Sequence, residues 1–373
     1  MNVGHITHSY LPNVGGIENY IKRLNQSLEK RGHHVNVYTT DWRIKNGRER
    51  NTFYFKTDFT IFRNPVSLEL YRKLKVTNDD VYHFHAPWYF IHLLAEKAIK
   101  SKPKVMTLHG IQLSGSLELV AINTLYYPLM KYILSKMDVI IAQAENERQI
   151  VIERYKVPRE KIEIIPNGIE IDKFKCSRRT CKEFMRKFKI NDKNFKILFA
   201  SRLVPHKHPD KLIKAVKNFV KNEDIEVLII GSIVSKDYFD TLKKLAKDDK
   251  RIHVIGEVEF KDLVAAYCSS DVFVFLSTWD ALSAVVLESM ACGLPLIATR
   301  TGCVPFVVKE GENGFFVNKL DEREIAEKIL KVMNLSKNEL IKIKRNNERK
   351  IKRNYNWENK VRDIIKVYEK IIH

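Results

Sequence analysis

DVFVFLSTWDALSAVVLESMACGLPLIATR, residues Asp271 to Arg300, is the stretch from which the fold can be read. Its opening run, Val272 to Leu276, has the unbroken apolar and aromatic character of a strand buried on both faces. A polar turn follows from Ser277 to Ser283, then a nearly all-apolar stretch, Ala284 to Cys292, that suits a short buried helix. Gly293 and Pro295 end that helix, and Leu296 to Thr299 reads as a second buried strand. Strand, helix and strand in this order imply a right-handed parallel crossover. Such units gather ligands at the carboxyl ends of their strands.

Two carboxylates sit in this unit where neutral residues would pack better. Glu288 is the only charge in the helix, and burying it requires hydrogen-bond donors, which a pair of ligand hydroxyls would supply. Asp280 lies on the turn before the helix, where the free amides of Ala284 and Val285 and the helix dipole favour an anion such as phosphate. The same two acids would equally serve the turn and the dipole with no ligand at all. Local pattern leaves both readings open.

At 373 residues the chain exceeds one ordinary core, so two domains are expected. An apolar fraction of 45% with 29% charged residues is that of a globular protein. No apolar run reaches the roughly 20 residues of a membrane span. The start, MNVGHITHSYLP, lacks the basic-then-apolar layout of a secretion signal, so a cytoplasmic location is expected. The cysteines at 176, 181, 268, 292 and 303 are spread out with no CxxC pair, which predicts core thiols rather than a disulfide framework or a zinc site. A net charge of +20 fits nucleic acid, an anionic membrane face or phosphorylated substrates. The bases occur throughout. Of the denser clusters, Lys97 to Lys104 and Lys342 to Arg353, the second reads as a solvated helix face, and no nucleic-acid fold signature accompanies either.

From the start, Asn2 to Thr7 reads as a first strand, followed by a loop and a helix whose Ile17, Tyr20, Ile21, Leu24 and Leu28 form one apolar stripe. Gly15 and Gly16 at its entrance allow close backbone approach to a phosphate, while Glu18 either serves a ligand or complements the helix dipole. Strands are expected at His34 to Thr39, Asp80 to Phe84 and Lys104 to Leu108, and residues 41 to 57 read as polar and irregular. The histidines of HFH, at 83 and 85, share one face of a strand, but no acidic or cysteine ligand accompanies them. His109, after Thr107 and before Gly110, places an imidazole at a strand's carboxyl end. Leu117 to Lys136 is a long helix candidate, with strands following at Val139 to Ala142 and Lys161 to Ile165 and a turn at Pro166 to Gly168.

The alternation restarts at Phe195 to Ala200. Directly after that strand come Arg202 and Lys207, a guanidinium fork and a mobile ammonium suited to a diphosphate, neither expected to be a core residue. Pro209 and Asp210 open the next helix, and two further strands end at Gly231 and Gly256. Ser336 and Glu339 make a capping box.

Asp280, seven residues and Glu288, followed by the small-residue, Gly293 and Pro295 run, resemble the signature of retaining glycosyltransferases of family 4. That family commonly has Glu at the first position and Phe-Gly where this chain has Leu282 and Ser283. Gly15, Gly16 and Glu18 resemble its GGxE loop, Thr107 to Gly110 its T-x-H-G element, and Pro166 to Gly168 its PNG element at the domain junction. Arg202 and Lys207 have the spacing of its phosphate clamp, whereas TGCVPFVVKEGENGFFV departs from its GGxxE pattern at Cys303 and Phe306.

The resemblance implies the GT-B fold, an α/β architecture of two facing Rossmann-like doubly wound domains with a C-terminal crossover helix. Residues 1–168 with helix 356–373, anchored by Trp357, would form the acceptor side, and 169–355 the nucleotide-sugar side. It implies retaining transfer of a sugar from a UDP- or GDP-type donor to an acceptor hydroxyl, with no metal and no cofactor. His109, Arg202, Lys207 and Asp280 would be catalytic. Gly16, Gly231, Val258, Leu282, Ser283, Ala284, Val285 and Glu288 would bind the donor, and Glu18 would face the acceptor. The acceptor would be a glycan, lipid or small molecule, with peripheral contact at an anionic inner membrane face left open. The rival readings are a GT-B nucleotide-sugar epimerase and, from another class, a basic nucleic-acid-binding protein.

Overall fold

Valine, isoleucine and phenylalanine in unalternating runs, such as VIIA at Val139–Ala142 and VFVF at Val272–Phe275, are buried at every position, as strands of a parallel sheet covered by helices must be. The computed structural model describes residues 1–13, 15–44, 49–61, 64–99, 101–111, 124–280 and 283–372. It divides into two compact units, Met1–Pro166 with Glu358–His373, and Asn167–Trp357.

The first unit carries β1 (Asn2–Ile6), β2 (His34–Thr40), β3 (Thr52–Phe55), β4 (Phe59–Ile61), β5 (Asn64–Val66), β6 (Val81–His85), β7 (Lys104–Thr107), β8 (Val139–Ala142) and β9 (Ile162–Ile164). Its helices include α1 (Gly16–Glu29), α2 (Leu68–Leu74), α3 (Phe90–Ala98), α4 (Tyr127–Ser135) and α5 (Glu145–Tyr155). Seven strands form one sheet in the order β3-β2-β1-β6-β7-β8-β9, every neighbour parallel. Strand order therefore reverses between β1 and β6. The apolar stripe of α1 packs inward, with Tyr20, Ile21, Leu24 and Leu28 buried.

One sequence expectation is corrected in this unit. Residues 41 to 57, read as irregular, contain the edge strand β3, whose TFYF run lies beside β2 in register Val37↔Thr52 through Thr40↔Phe55. Its polar surroundings hid it, because an edge strand needs only one buried face. The long helix expected over Leu117 to Lys136 is described only from Thr124, and 112–123 lie outside the described residues. Within the described part Met130, Ile133 and Leu134 are buried while Leu125 is exposed.

The second unit carries β10 (Phe195–Ala200), β11 (Ile225–Ile230), β12 (Ile252–Gly256), β13 (Val272–Phe275), β14 (Leu296–Thr299) and β15 (Gly314–Val317). Its helices include α6 (Arg178–Lys187), α7 (Pro209–Phe219), α8 (Lys236–Ala246), α9 (Phe260–Ser269), α10 (Ala284–Ala291), α11 (Val304–Val307), α12 (Glu322–Met333) and α13 (Lys337–Asn354). The six strands run β12-β11-β10-β13-β14-β15, again all parallel, so order reverses between β10 and β13. The capping box of Ser336 and Glu339 opens α13, which buries Ile343, Asn347 and Ile351 and turns Lys342, Lys344, Arg345, Arg349, Lys352 and Arg353 to solvent. That is the solvated basic face expected of this stretch.

Trp357 is buried in the second unit, its amide donating to Ile169 O at 2.9 Å. From Glu358 onward α14 (Trp357–Ile372) belongs to the first unit, where Tyr368 Oη lies 2.6 Å from His83 Nδ1. Among the described residues no helix is long and apolar enough to cross a membrane.

The cysteines are not dispersed as their sequence positions suggested. Cys176 and Cys181 have their sulfurs 3.2 Å apart, and Cys268 and Cys292 lie 4.0 Å apart with both thiols directed at Phe174 O. Packing of α9 and α10 against the segment around Phe174 brings these positions together, a relation that linear spacing does not carry. Cys303 alone of the five is fully buried.

Candidate active site

In the second unit the strand order places the loops after β10 and β13 side by side at the sheet's carboxyl edge, the crevice where open parallel sheets hold ligands. Lys207 leaves one loop and Asp280 the other, and Lys207 Nζ donates to Asp280 Oδ2. The two loops are tied further by Thr278 N donating to His206 O at 3.0 Å. Thr299 Oγ1 donates to Ser277 O at 2.6 Å and braces the turn from beneath.

This pairing corrects the expectation that Lys207 lies outside the core. Its side chain is only 5% exposed, held between the Asp280 carboxylate and the ring of Phe275, whose centroid is 5.5 Å from Nζ. A buried ammonium needs such partners. Arg202, by contrast, is exposed at the end of β10, free to reach a ligand by its fork.

At the opening of α10, Ser283 is the N-cap with extended backbone and makes no side-chain cap bond, so the amides of Ala284 and Val285 are not capped by it. Leu282 lies outside the described residues. Glu288 was expected to need ligand hydroxyls, yet Tyr267 Oη donates to its Oε2 at 3.0 Å. A tyrosine on α9 already meets part of that need, and the sequence separation of the two residues concealed it. Gly231, after β11, has φ +156, and a Cβ there would lie 1.6 Å from Ser201 O. Only glycine permits the two strand ends to approach this closely. Val258 is half-buried after β12.

In the first unit His109 follows β7 with φ +56, and Gly110 continues with φ +100. Left-handed backbone is uncommon for a residue with a Cβ, and strain of this kind gathers at functional positions. Desolvation lowers the His109 pKa to about 3, so the ring is neutral. Its Nε2 lies 2.9 Å from His85 Nδ1, and the Tyr20 ring meets it edge-on at 4.8 Å between centroids. Glu147, from α5, is buried against the same loop, accepting from Gln143 N at 2.7 Å, with the amides of Gly110 and Ile111 also directed at its carboxylate. Burial pushes its carboxyl up to about 7 despite those donors.

Glu18 is buried in the first turn of α1, its carboxylate folded toward Gly15 and bonded to Ser9 and to its own amide. Burial raises its pKa. That arrangement is helix-start chemistry, one of the two readings the sequence left open. Gly16 is exposed, and a Cβ there would meet nothing within 4 Å.

One residue the sequence passed over, His5, also converges with the two histidines of HFH. His5 and His85, on β1 and β6, flank His83, and nitrogens of the three lie within 4.8 Å of one another. Register explains the gathering, since His5 pairs with His83 and His85 with Thr107. Every ring nitrogen of the three except His5 Nε2 is hydrogen-bonded to another ring or to a Tyr368 or Thr107 hydroxyl. A cation would have to break those bonds, so the arrangement is that of a polar core network.

Sequence comparison gives the family, and structure comparison gives the fold. Residues 181–354 match the family of glycosyl transferases group 1, and residues 14–173 match glycosyltransferase family 4. An uncharacterized glycosyltransferase of Methanocaldococcus jannaschii is 25% identical over 99% of this chain and 98% of its own. The crystal structure of Anabaena HepE with UDP superposes with a TM-score of 0.82 at 18% identity, covering 99% of this chain and 100% of that one. The same protein with UDP-glucose gives 0.79 at 18% identity, again covering 99% and 100%.

Proposed function

The chain belongs to the group 1 glycosyltransferases of family 4, and from that premise we propose that it transfers a hexosyl group from a uridine diphosphate sugar to an acceptor hydroxyl with retention at the anomeric carbon. The observation carrying the reading is the Lys207 and Asp280 pair beside the opening of α10, at the point where strand order reverses. A diphosphate placed there meets three kinds of donor. Lys207 contributes an ammonium already oriented by Asp280, exposed Arg202 contributes a fork, and the Ala284 and Val285 amides contribute a helix end.

Charge grows on the diphosphate as the glycosidic bond breaks. Donors fixed beforehand stabilise that charge without reorganising, which is where such groups accelerate a reaction most. Lys207 is fixed in this sense because its stem is buried and its head is paired. Glu288, which accepts from Tyr267, would also meet a sugar or ribose hydroxyl, and Gly231 would let the β11 end approach the nucleotide. Val258 would lie by the base. Gly16 and Glu18 would border the acceptor, and His109 would contact the transferred sugar. Uridine rather than guanosine is chosen because the structurally similar HepE was solved with UDP and UDP-glucose.

The test is a thermal-shift panel of UDP-, GDP- and ADP-sugars, in which a ligand that binds only the folded state raises the melting temperature by mass action. Stabilisation by UDP and UDP-glucose, lost in Arg202→Ala, is expected. Stabilisation by GDP-sugars alone would overturn the uridine assignment, and salt-sensitive binding of RNA or DNA with no nucleotide-sugar effect would overturn the whole reading.

A further inference from the structure

Histidines from three adjacent strand segments form one hydrogen-bonded line inside the first unit. His5 Nδ1 is 2.9 Å from His85 Nε2, and His85 Nδ1 is 2.9 Å from His109 Nε2. His5 and His85 are fully buried. Desolvation lowers His5 and His109 to about 3 and His85 well below its ordinary value, so all three rings are neutral near pH 7.

Neutral rings constrain where the protons sit. Each ring carries one N–H, and each of the two N–H···N bonds uses one proton. The third proton must therefore stand at an end of the line, on His109 Nδ1 or on His5 Nε2. His5 Nε2 is buried and has no hydrogen-bond partner. A buried N–H with no acceptor is the rarer defect, and an unmet lone pair is better tolerated. The proton then belongs on His109 Nδ1, with His5 donating to His85 and His85 donating to His109.

We propose that His85, backed by His5, is a positioning residue that fixes the His109 ring and its tautomer, so that a neutral Nδ1–H is presented to an oxygen of the transferred sugar. This rests on the reading of His109 as the sugar-contacting residue and adds the direction of its hydrogen bond. The left-handed backbone at His109 and Gly110 gives the chain a sharp exit but does not orient the ring. Orientation comes from His85 on Nε2 and from the edge of Tyr20. His83 takes no part in the relay, since its Nδ1 and Nε2 are committed to the Tyr368 and Thr107 hydroxyls at 2.6 and 2.7 Å.

The experiment uses full-length protein with 15N-labelled histidine, read by long-range 1H–15N correlation, beside release of UDP from UDP-glucose. In the wild type, His109 should carry its proton on Nδ1. His85→Phe keeps a ring of similar size without nitrogens. It should convert His109 to a mixture of tautomers and lower kcat by about 10–100-fold, the scale of loss seen for partners that orient functional histidines, with UDP affinity unchanged. His85→Gln retains an amide donor and should recover part of the loss, which a purely structural role would not predict. If His85→Phe does not fold, the wild-type spectrum and His85→Gln decide. A proton on Nε2 of His109 in the wild type overturns the proposal, as does a His109 spectrum unaltered by either substitution. His109→Ala in the same assay separates the two layers. Full activity there removes the sugar-contact reading, whereas its loss beside wild-type activity in His85→Phe removes the relay alone. Where UDP-glucose is not turned over, the spectra decide.

Discussion

Lys207 Nζ is hydrogen-bonded to Asp280 Oδ2, joining the loops that leave β10 and β13, the two strands between which the second sheet reverses its order. The cation is almost wholly buried, whereas the carboxylate is 20% exposed. Removing the cation therefore acts on the fold as well as on any bound diphosphate.

Lys207→Ala should lower stability by about 1–3 kcal/mol, because the Asp280 carboxylate loses a charged hydrogen-bond donor. It should also cut kcat about 10²–10³-fold, the usual loss when one preorganised donor is removed. Pairing Lys207→Met with Asp280→Asn removes both charges. The double variant should regain melting temperature without regaining turnover, and recovery of both would take Lys207 out of the mechanism.

Arg202 is exposed, so Arg202→Ala should leave the melting temperature of the free protein unchanged. If its fork holds the diphosphate, affinity for UDP should fall by the equivalent of about 1.5–3 kcal/mol, the worth of hydrogen bonds to a charged group. Calorimetric titration with UDP and with uridine is the check. Equal losses for both ligands would place the arginine elsewhere than on phosphate.

Positive charge at the diphosphate site is supplied by side chains and a helix end, so activity should persist in EDTA. Loss of turnover in chelator, restored by magnesium or manganese, would contradict this.

Stability should fall in mild acid. Burial lowers His5, His8, His92 and His109 from 6.5 to about 3. Above the ordinary value both folded and unfolded chains hold these rings neutral, and nothing is lost. As pH drops below it, the unfolded chain binds protons that the folded one refuses, which costs about 1.4 kcal/mol per pH unit for each ring until the folded value is reached. Urea midpoints at pH 7.5 and pH 5 measure the slope. His92→Phe, in a ring site buried against Phe84 and Tyr89, should make it shallower. Parallel slopes in the two proteins would show that His92 does not contribute.

The sequence by itself determined the alternation of buried strands and helices. Val272–Phe275, Ala284–Ala291 and Leu296–Thr299 have their character written in local hydrophobicity, and Gly293 and Pro295 punctuate them. It also placed His109 and Arg202 at strand ends and Asp280 on the turn before a helix, because the end of a strand and the start of a helix are local properties of the chain. Edge strand β3 escaped, since an edge lacks the two-faced burial that makes a strand legible.

Only the tertiary structure decided which side chains meet. Lys207 and Asp280 are brought together by strand order, Tyr267 and Glu288 by helix packing, and His5, His85 and His109 by strand register. The four clustered cysteines follow the same rule. A parallel sheet joins residues far apart in sequence through crossovers whose order and register are set by the packing of the whole unit. Which polar groups become partners is therefore a property of the folded core and is not carried by any one stretch of sequence.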